Sequence, residues 1–373
     1  MDAKNVVCFL TMFVVLATGQ QLFSPTSGIC SSSGGTCRSV VTGCQAGETP
    51  YTRFGYNAAS FFMCGSYNLM CCTPNGPRLD DNCGQVAPRS RIIQGLNTSA
   101  CDWPYIVSIR SRINNLFDPL TPSNTQHSCA GVLLNERYVL THPLCCYVQT
   151  GVLADAPSNL LVVAGEYDVT KVDIDSSTRQ GAEQYRPIDR CIVHPGYQSV
   201  DSLQNFNFND NNLTNGNAVA LLRLRDPVTF NTCANKACLP GASTYNARNC
   251  DTFSYCVILG WGYVDDQFLN LPTTLKYGQV RLYKDDICNF LSNVMAPAYP
   301  RPVGTTCDIP VGVTDTRLGD EGGPVLCYDG TRFAVQGIIP FNLFGINNQG
   351  YNPYVTDVAQ YEAWIRNTIA TYN

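Results

Sequence analysis

From Ile92 onward, apolar residues come in short runs separated by turn-forming clusters of Gly, Pro, Asn and Asp. Tyr105–Arg110, Val132–Leu134, Tyr138–Thr141, Leu160–Ala164, Ala218–Leu224, Tyr255–Leu259, Pro324–Cys327 and Phe333–Ile339 read as strands of this kind. Strands repeated without helical periods between them predict an all-β barrel or sandwich. The tail changes period. Val358, Tyr361, Ile365 and Ile369 fall on one face of a helix, so Val358–Thr371 is predicted helical.

Ahead of Ile92 the pattern is different. Lys4 precedes the apolar run Val6–Ala17, which ends in the small residues Ala17-Thr18-Gly19. Residues 1–19 therefore read as a signal peptide, cut after Gly19. No other stretch is long and apolar enough to span a bilayer. Residues 28–73 offer little core beyond Phe54, Tyr56, Phe61 and Phe62, but carry six cysteines: Cys30, Cys37, Cys44, Cys64, Cys71 and Cys72. A segment this small needs covalent staples. Six cysteines allow fifteen pairings, and spacing does not choose among them. Residues 74–91, rich in Pro, Asn, Asp and Gly with Arg78, Arg89 and Arg91, read as an exposed linker. Asn205–Asn217 holds seven asparagines and is expected to be a solvated loop. It carries the sequon Asn212-Leu213-Thr214; a second is Asn97-Thr98-Ser99, and both are expected glycan sites.

Composition narrows the picture. The chain has 373 residues, 45% apolar, enough for a packed domain beside a small one. A net charge of −5 excludes the concentrated positive surface that nucleic acid requires, and a polybasic membrane anchor. Twenty cysteines point to disulfides in an oxidising, extracellular compartment.

Several motifs carry a resemblance. Gly319-Asp320-Glu321-Gly322-Gly323-Pro324 resembles the GDSGGP motif of the chymotrypsin-like serine proteases. In the expected order, Ser128–Leu134 resembles CGGSLI, Val139–Cys145 resembles VLTAAHC, and Asn217–Leu222 resembles NDIALL. Gly260-Trp261-Gly262 and the closing Trp364-Ile365 also fit. The resemblance covers Ile92 to the C-terminus and implies a double β-barrel with a C-terminal helix. The N-terminal segment, ending in Cys71-Cys72, resembles the clip domain of arthropod proteases. Together they resemble a clip-domain serine protease homologue: clip domain 28–73, linker 74–91, protease-like domain 92–373.

That mechanism needs a hydroxyl nucleophile, an imidazole base and an orienting carboxylate. The matching positions here hold Glu321, Leu144 and Ala218. A carboxylate attacks amides feebly and puts negative charge where the oxyanion forms; leucine accepts no proton. His142 stands two residues before Leu144, off the catalytic position, and neither His127 nor His194 matches it. The chain is expected not to be an enzyme. In the substrate pocket, the resemblance implies a vestigial acid at Asp315 and narrowing side chains at Asn342 and Pro353. Arg317 stands where a pocket cysteine is expected.

The resemblance implies that the family's activation switch is kept, the alternative being that Asp320 is a leftover structural acid. Cleavage after Arg91, with Arg89 as a competing site, would free an ammonium at Ile92 to pair with Asp320. The resemblance implies the bonds Cys30–Cys71, Cys37–Cys64, Cys44–Cys72, Cys129–Cys145, Cys256–Cys327 and Cys288–Cys307. It also implies Cys83–Cys238, which would tether the clip segment after a cut. Cys101, Cys146, Cys191, Cys233 and Cys250 remain unassigned, an odd number. Glu166, Asp168, Asp173 and Asp175 read as solvated loop acids rather than calcium ligands, so neither metal nor cofactor is expected.

The resemblance implies a secreted, non-catalytic cofactor or regulator in the haemolymph, in a protease cascade of arthropod innate immunity such as melanisation. Its partners would be clip-domain proteases, prophenoloxidase or other cascade proteins. The alternatives are an adhesion or microbe-recognition module, binding microbial surfaces without any cut, and an enzyme using Glu321 in unusual chemistry.

Overall fold

A computed structural model describes residues 36–39, 48–50, 69–74, 83–84, 98–113, 119–146, 159–173, 182–197, 216–240, 255–264, 270–283, 288–290, 293, 301–310, 316, 319–328, 332–340 and 354–372. The chain divides into two compact units, one made mainly of residues 1–78 and the other of residues 79–248 and 253–373.

In the first unit, β1 (Thr36–Ser39), β2 (Glu48–Pro50) and β3 (Leu69–Pro74) form an antiparallel sheet with β3 central. Its register sets Cys37 opposite Cys71, and Thr36 opposite Cys72. The cysteine pairings expected for residues 28–73 lie outside the described side chains.

The second unit holds two closed six-stranded antiparallel barrels. The first consists of β4 (Ile106–Arg112), β5 (Thr125–Leu133), β6 (Tyr138–Thr141), β7 (Leu160–Ala164), β8 (Gln184–Val193) and β9 (Ala220–Leu224), closed in the order β4-β5-β6-β9-β8-β7. The second consists of β10 (Tyr255–Gly260), β11 (Lys276–Leu282), β12 (Thr305–Pro310), β13 (Pro324–Tyr328), β14 (Phe333–Ile338) and β15 (Tyr354–Asp357), closed in the order β10-β11-β12-β15-β14-β13. Closure leaves no unpaired edge. The helix α1 (Val358–Thr371) follows, capped by the Asp357 carboxylate, which accepts from the Ala359 N–H. This is the chymotrypsin fold that the motifs implied.

The two-residue period of the strands decides where each side chain goes. On β4, Val107 and Ile109 point into the first barrel, while Ile106 joins a second cluster. On β6, Val139 goes inward, and Tyr138 and Leu140 go to that second cluster. On β10, Cys256 and Ile258 fill the second barrel, whereas Val257 and Leu259 face the same shared cluster. The shared cluster also takes Trp261, Phe333 and, from α1, Val358, Ile365 and Ile369. It welds the barrels to each other and to the helix, each buried side chain contributing about 1.5–3 kcal/mol.

Six disulfides staple this unit among the described residues: Cys83–Cys238, Cys101–Cys233, Cys129–Cys145, Cys146–Cys191, Cys256–Cys327 and Cys288–Cys307. Four of the five cysteines that sequence left unassigned thus pair with each other; Cys250 lies outside the described residues. Cys83 is fully buried, and Gly84 exchanges backbone hydrogen bonds with Lys236 and Phe333. Gly84 has a φ of +63°, and a Cβ there would stand 2.2 Å from the Phe333 carbonyl oxygen. Cys83 and Gly84 are therefore fixed to the protease-like unit.

Candidate functional site

Two of the contacts between the barrels involve positions that the motifs single out: Glu321 meets β5, and Ala218 meets Thr356 of β15. Leu144 sits in the short 3-10 turn Pro143–Cys146 that follows β6. It is half-buried and offers only hydrocarbon. Ala218 is buried just ahead of β9, and its carbonyl accepts from Thr356 Oγ1 at 2.9 Å. Glu321 is 3% exposed. Its carbonyl accepts from the Ala130 N–H of β5 at 2.9 Å, which ties the turn of the second barrel to the first.

The Glu321 side chain turns back on its own loop. Oε2 accepts from the Gly319 N–H at 2.8 Å. Gly319 has a φ of +102°, and a Cβ there would lie 2.9 Å from Gly262 Cα. This is the amide that the family mechanism aims at a developing oxyanion. Here a carboxylate of the same chain takes it. Gly322 is equally constrained: its φ is +77°, and a Cβ would lie 2.2 Å from Thr141 Oγ1.

Asp320 is half-buried, and its Oδ1 accepts from the Gly262 N–H at 2.8 Å. A Cβ on Gly260 would fall 2.0 Å from Asp320 Oδ1, and one on Gly262 would fall 2.6 Å from its Cγ. Both glycines of the Gly-Trp-Gly motif thus exist to let this carboxylate approach the backbone. Trp261 between them is buried and donates from Nε1 to the Tyr167 carbonyl at 3.0 Å.

Two histidines have roles that sequence did not assign. His127 Nδ1 lies 2.8 Å from Ser108 Oγ, its Nε2 lies 3.5 Å from the Gly319 carbonyl, and its ring packs on Trp261. Burial pushes its pKa down to about 4, so the neutral ring joins β4 to the Glu321 loop. His142 is fully buried, and its Nδ1 accepts from the Leu144 N–H at 3.2 Å. The ring proton is therefore on Nε2, which is buried without a partner. The ring stands edge-on to Tyr197, and burial pushes the pKa down to about 3. His142 packs beneath the site and does not reach out of it. The one signal for either role was spacing from Cys129 and Cys145, which carries no contact information.

Arg91, Ile92, Asn97, Asn212, Asp315, Arg317, Asn342 and Pro353 lie outside the described residues. Thr316, beside Asp315, is buried.

The residue-92–365 region matches the family model Trypsin, so this chain belongs to the trypsin family of chymotrypsin-like serine protease domains. It is similar to chymotrypsin-like elastase family member 1 of Bos taurus, at 27% identity over 76% of this chain and 91% of the relative. The Macaca fascicularis protein of the same description is 28% identical over 76% and 91%, and that of Rattus norvegicus 28% over 75% and 90%.

A second cluster corrects the reading of the loop acids. Glu166, Asp168 and Asp173 are buried, not solvated. Arg110 of β4 reaches beneath the loop and pairs with Glu166 through Nη1 and Oε2 at 2.6 Å, while its Nη2 donates to the Val169 carbonyl at 2.8 Å. Asp173 Oδ2 accepts from the Tyr167 and Asp168 amides, and Glu183 Oε1 accepts from the Asp173 amide. These backbone bonds fold the loop back over the acids, which polarity along the sequence could not reveal. Burial, then the neighbouring Glu183 carboxylate, push the Glu166 carboxyl above the usual carboxylate range, and Arg110 pulls against them to hold the ion pair.

Oxygens of Glu166, Asp173 and Glu183 lie within 4.8 Å of one another, and Glu166 Oε1 is buried without a partner. That donor set fits a hard divalent cation such as calcium, with Arg110 already neutralising part of the charge. Calcium added over a chelator is expected to raise the melting temperature, by about 2–4 °C for each kcal/mol of binding linkage. An unchanged melting temperature in scanning calorimetry would show that Arg110 alone balances the cluster.

Proposed function

We propose that this trypsin-family chain is a secreted, non-catalytic regulator of an extracellular protease cascade. The observation that carries the non-catalytic part is the Glu321 carboxylate, seated on the Gly319 N–H where a nucleophilic hydroxyl and an empty oxyanion site are needed. Leu144 supplies no base beside it, and Ala218 no carboxylate. Intact barrels, an Asp320–Gly262 contact and a Cys83–Cys238 bond beside a site that offers no nucleophile favour a role in binding. The resemblance of residues 28–73 to clip domains supports a setting in arthropod innate immunity, with clip-domain proteases and prophenoloxidase as partners. In this reading, a cut after Arg91 frees Ile92 to pair with Asp320. Loops around that acid then rearrange into a partner-binding surface while Cys83 keeps the N-terminal unit attached.

The test compares wild type with Arg91→Ala, each treated with a trypsin-like protease and added to prophenoloxidase and its activating protease. Only cleaved wild type is expected to change phenoloxidase activity, and the direction gives the sign of regulation. If both proteins behave like buffer, the cascade reading loses its support and cleavage-independent adhesion gains it.

A further inference from the structure

The contact between Glu321 and Gly319 has a meaning beyond the loss of a nucleophile. An amide N–H exposed at the mouth of a turn with positive φ is a ready donor to anions. Gly319 and Gly322, at φ +102° and +77°, shape such a turn here. Its backbone is held from three sides. Glu321 O is held by Ala130, Gly322 N–H donates to Ile339 O at 2.9 Å, and Gly323 N–H donates to Asp320 O at 2.9 Å. The Gly319 carbonyl faces His127. A turn pinned in this way cannot relax to hide its N–H, so the donor needs an acceptor whether or not a substrate arrives.

We propose that Glu321 is a built-in ligand that keeps an anion-binding turn permanently occupied, closing the old reaction centre to external carboxylates. The ligand class follows from the occupant: a single small carboxylate, presented to Gly319 from where the Glu321 carboxylate now lies. The idea deepens the non-catalytic reading of the same site and rests on it only in locating that site. It makes the centre inert in two ways at once, since it lacks a nucleophile and is also sealed against product-like acids.

The sequence supplies a clean probe. Leu–Gly occurs twice in the chain, at Leu259-Gly260 and Leu318-Gly319. Labelling with carbonyl-13C leucine and 15N glycine therefore selects two amide signals, with Gly260 reporting that the fold is intact. In wild type, the Gly319 proton is expected downfield and unmoved by acetate. In Glu321→Ala it should shift upfield, and acetate should then return it downfield in a saturable titration with a millimolar midpoint. Glu321→Gln, which keeps the acceptor but not the charge, should give an intermediate position and still block acetate. Two results would overturn the proposal: a Gly319 signal that ignores the loss of Glu321 while Gly260 stays in place, or wild type and Glu321→Ala responding alike to acetate. A peptide-hydrolysis assay on the same samples separates the two ideas. Hydrolysis by wild type that Glu321→Ala abolishes would sink the non-catalytic reading, whatever the titration shows.

Discussion

Intact or cut after Arg91, the protein should hydrolyse peptide esters and amides no faster than its own Glu321→Ala variant. Removing the serine or histidine of a working triad costs about 10⁶ in kcat, or about 8 kcal/mol of transition-state stabilisation. In the proposed reading, motif order puts Glu321, Leu144 and Ala218 at the serine, histidine and aspartate positions. The residual rate that survives such losses elsewhere comes from the oxyanion hole. In this chain the Gly319 N–H is taken by Glu321, so that residue of activity should also be missing. Glu321→Ser alone should stay inactive, because Leu144 accepts no proton and the buried His142 has its Nδ1 committed to the Leu144 amide. A chromogenic peptide assay before and after limited trypsin treatment is sufficient. A wild-type rate above background that vanishes in Glu321→Ala would identify Glu321 as a working nucleophile or base.

Arg110→Ala is expected to produce the largest loss of stability among single changes near the site, about 3–5 kcal/mol. The guanidinium is almost fully buried, pairs with Glu166 and bonds the Val169 and Thr125 carbonyls. Alanine would leave a buried carboxylate beside Asp173 and Glu183 with no cation, and two carbonyls with no donor. For a domain of this size, the melting temperature should fall by roughly 6–20 °C. Adding Glu166→Gln to Arg110→Ala should recover part of the loss, so the double variant is less damaged than the sum of the singles. Denaturant titration of the four proteins closes the cycle. A loss below about 1 kcal/mol in Arg110→Ala would mean that Glu166 takes up a proton in place of the guanidinium.

How much of this was legible in the chain differs by element. Runs such as Tyr138–Thr141 and Leu160–Ala164 announced their strands outright, because every position of β6 and β7 is buried and all but Thr141 are apolar. Strands β8 and β11 are harder to see. Gln184, Arg186, Asp189 and Arg190 interrupt the first, and Lys276, Gln279 and Arg281 the second, since only one face of each is covered. β5 runs back to Thr125, well before the apolar stretch at Val132, because its early half pairs with the polar end of β4. The helix was readable from its 3.6-residue period, whereas its Asp357 cap emerged only in the structure.

The candidate site divides in the same way. The identities Leu144, Ala218 and Glu321 follow from motif order alone, as does the family, since linear spacing around Cys145 and Gly322-Gly323 survives any change in side-chain chemistry. The conformation of Glu321 does not follow, because a side chain bonding to an amide two residues earlier leaves no trace in composition. The same holds for the pairs Cys101–Cys233 and Cys146–Cys191, which closure of the first barrel brings together across 132 and 45 residues of chain. It holds for the burial of Glu166 and Asp173, where a loop rich in acids reads as solvated until Arg110 arrives from a different strand. By itself the sequence determined the fold class and the family, because these depend on residue identity and local period. Only the tertiary structure decided what fills the empty centre, which cysteines meet and which charges are buried, because those depend on groups that are distant in the chain and adjacent only after the barrels close.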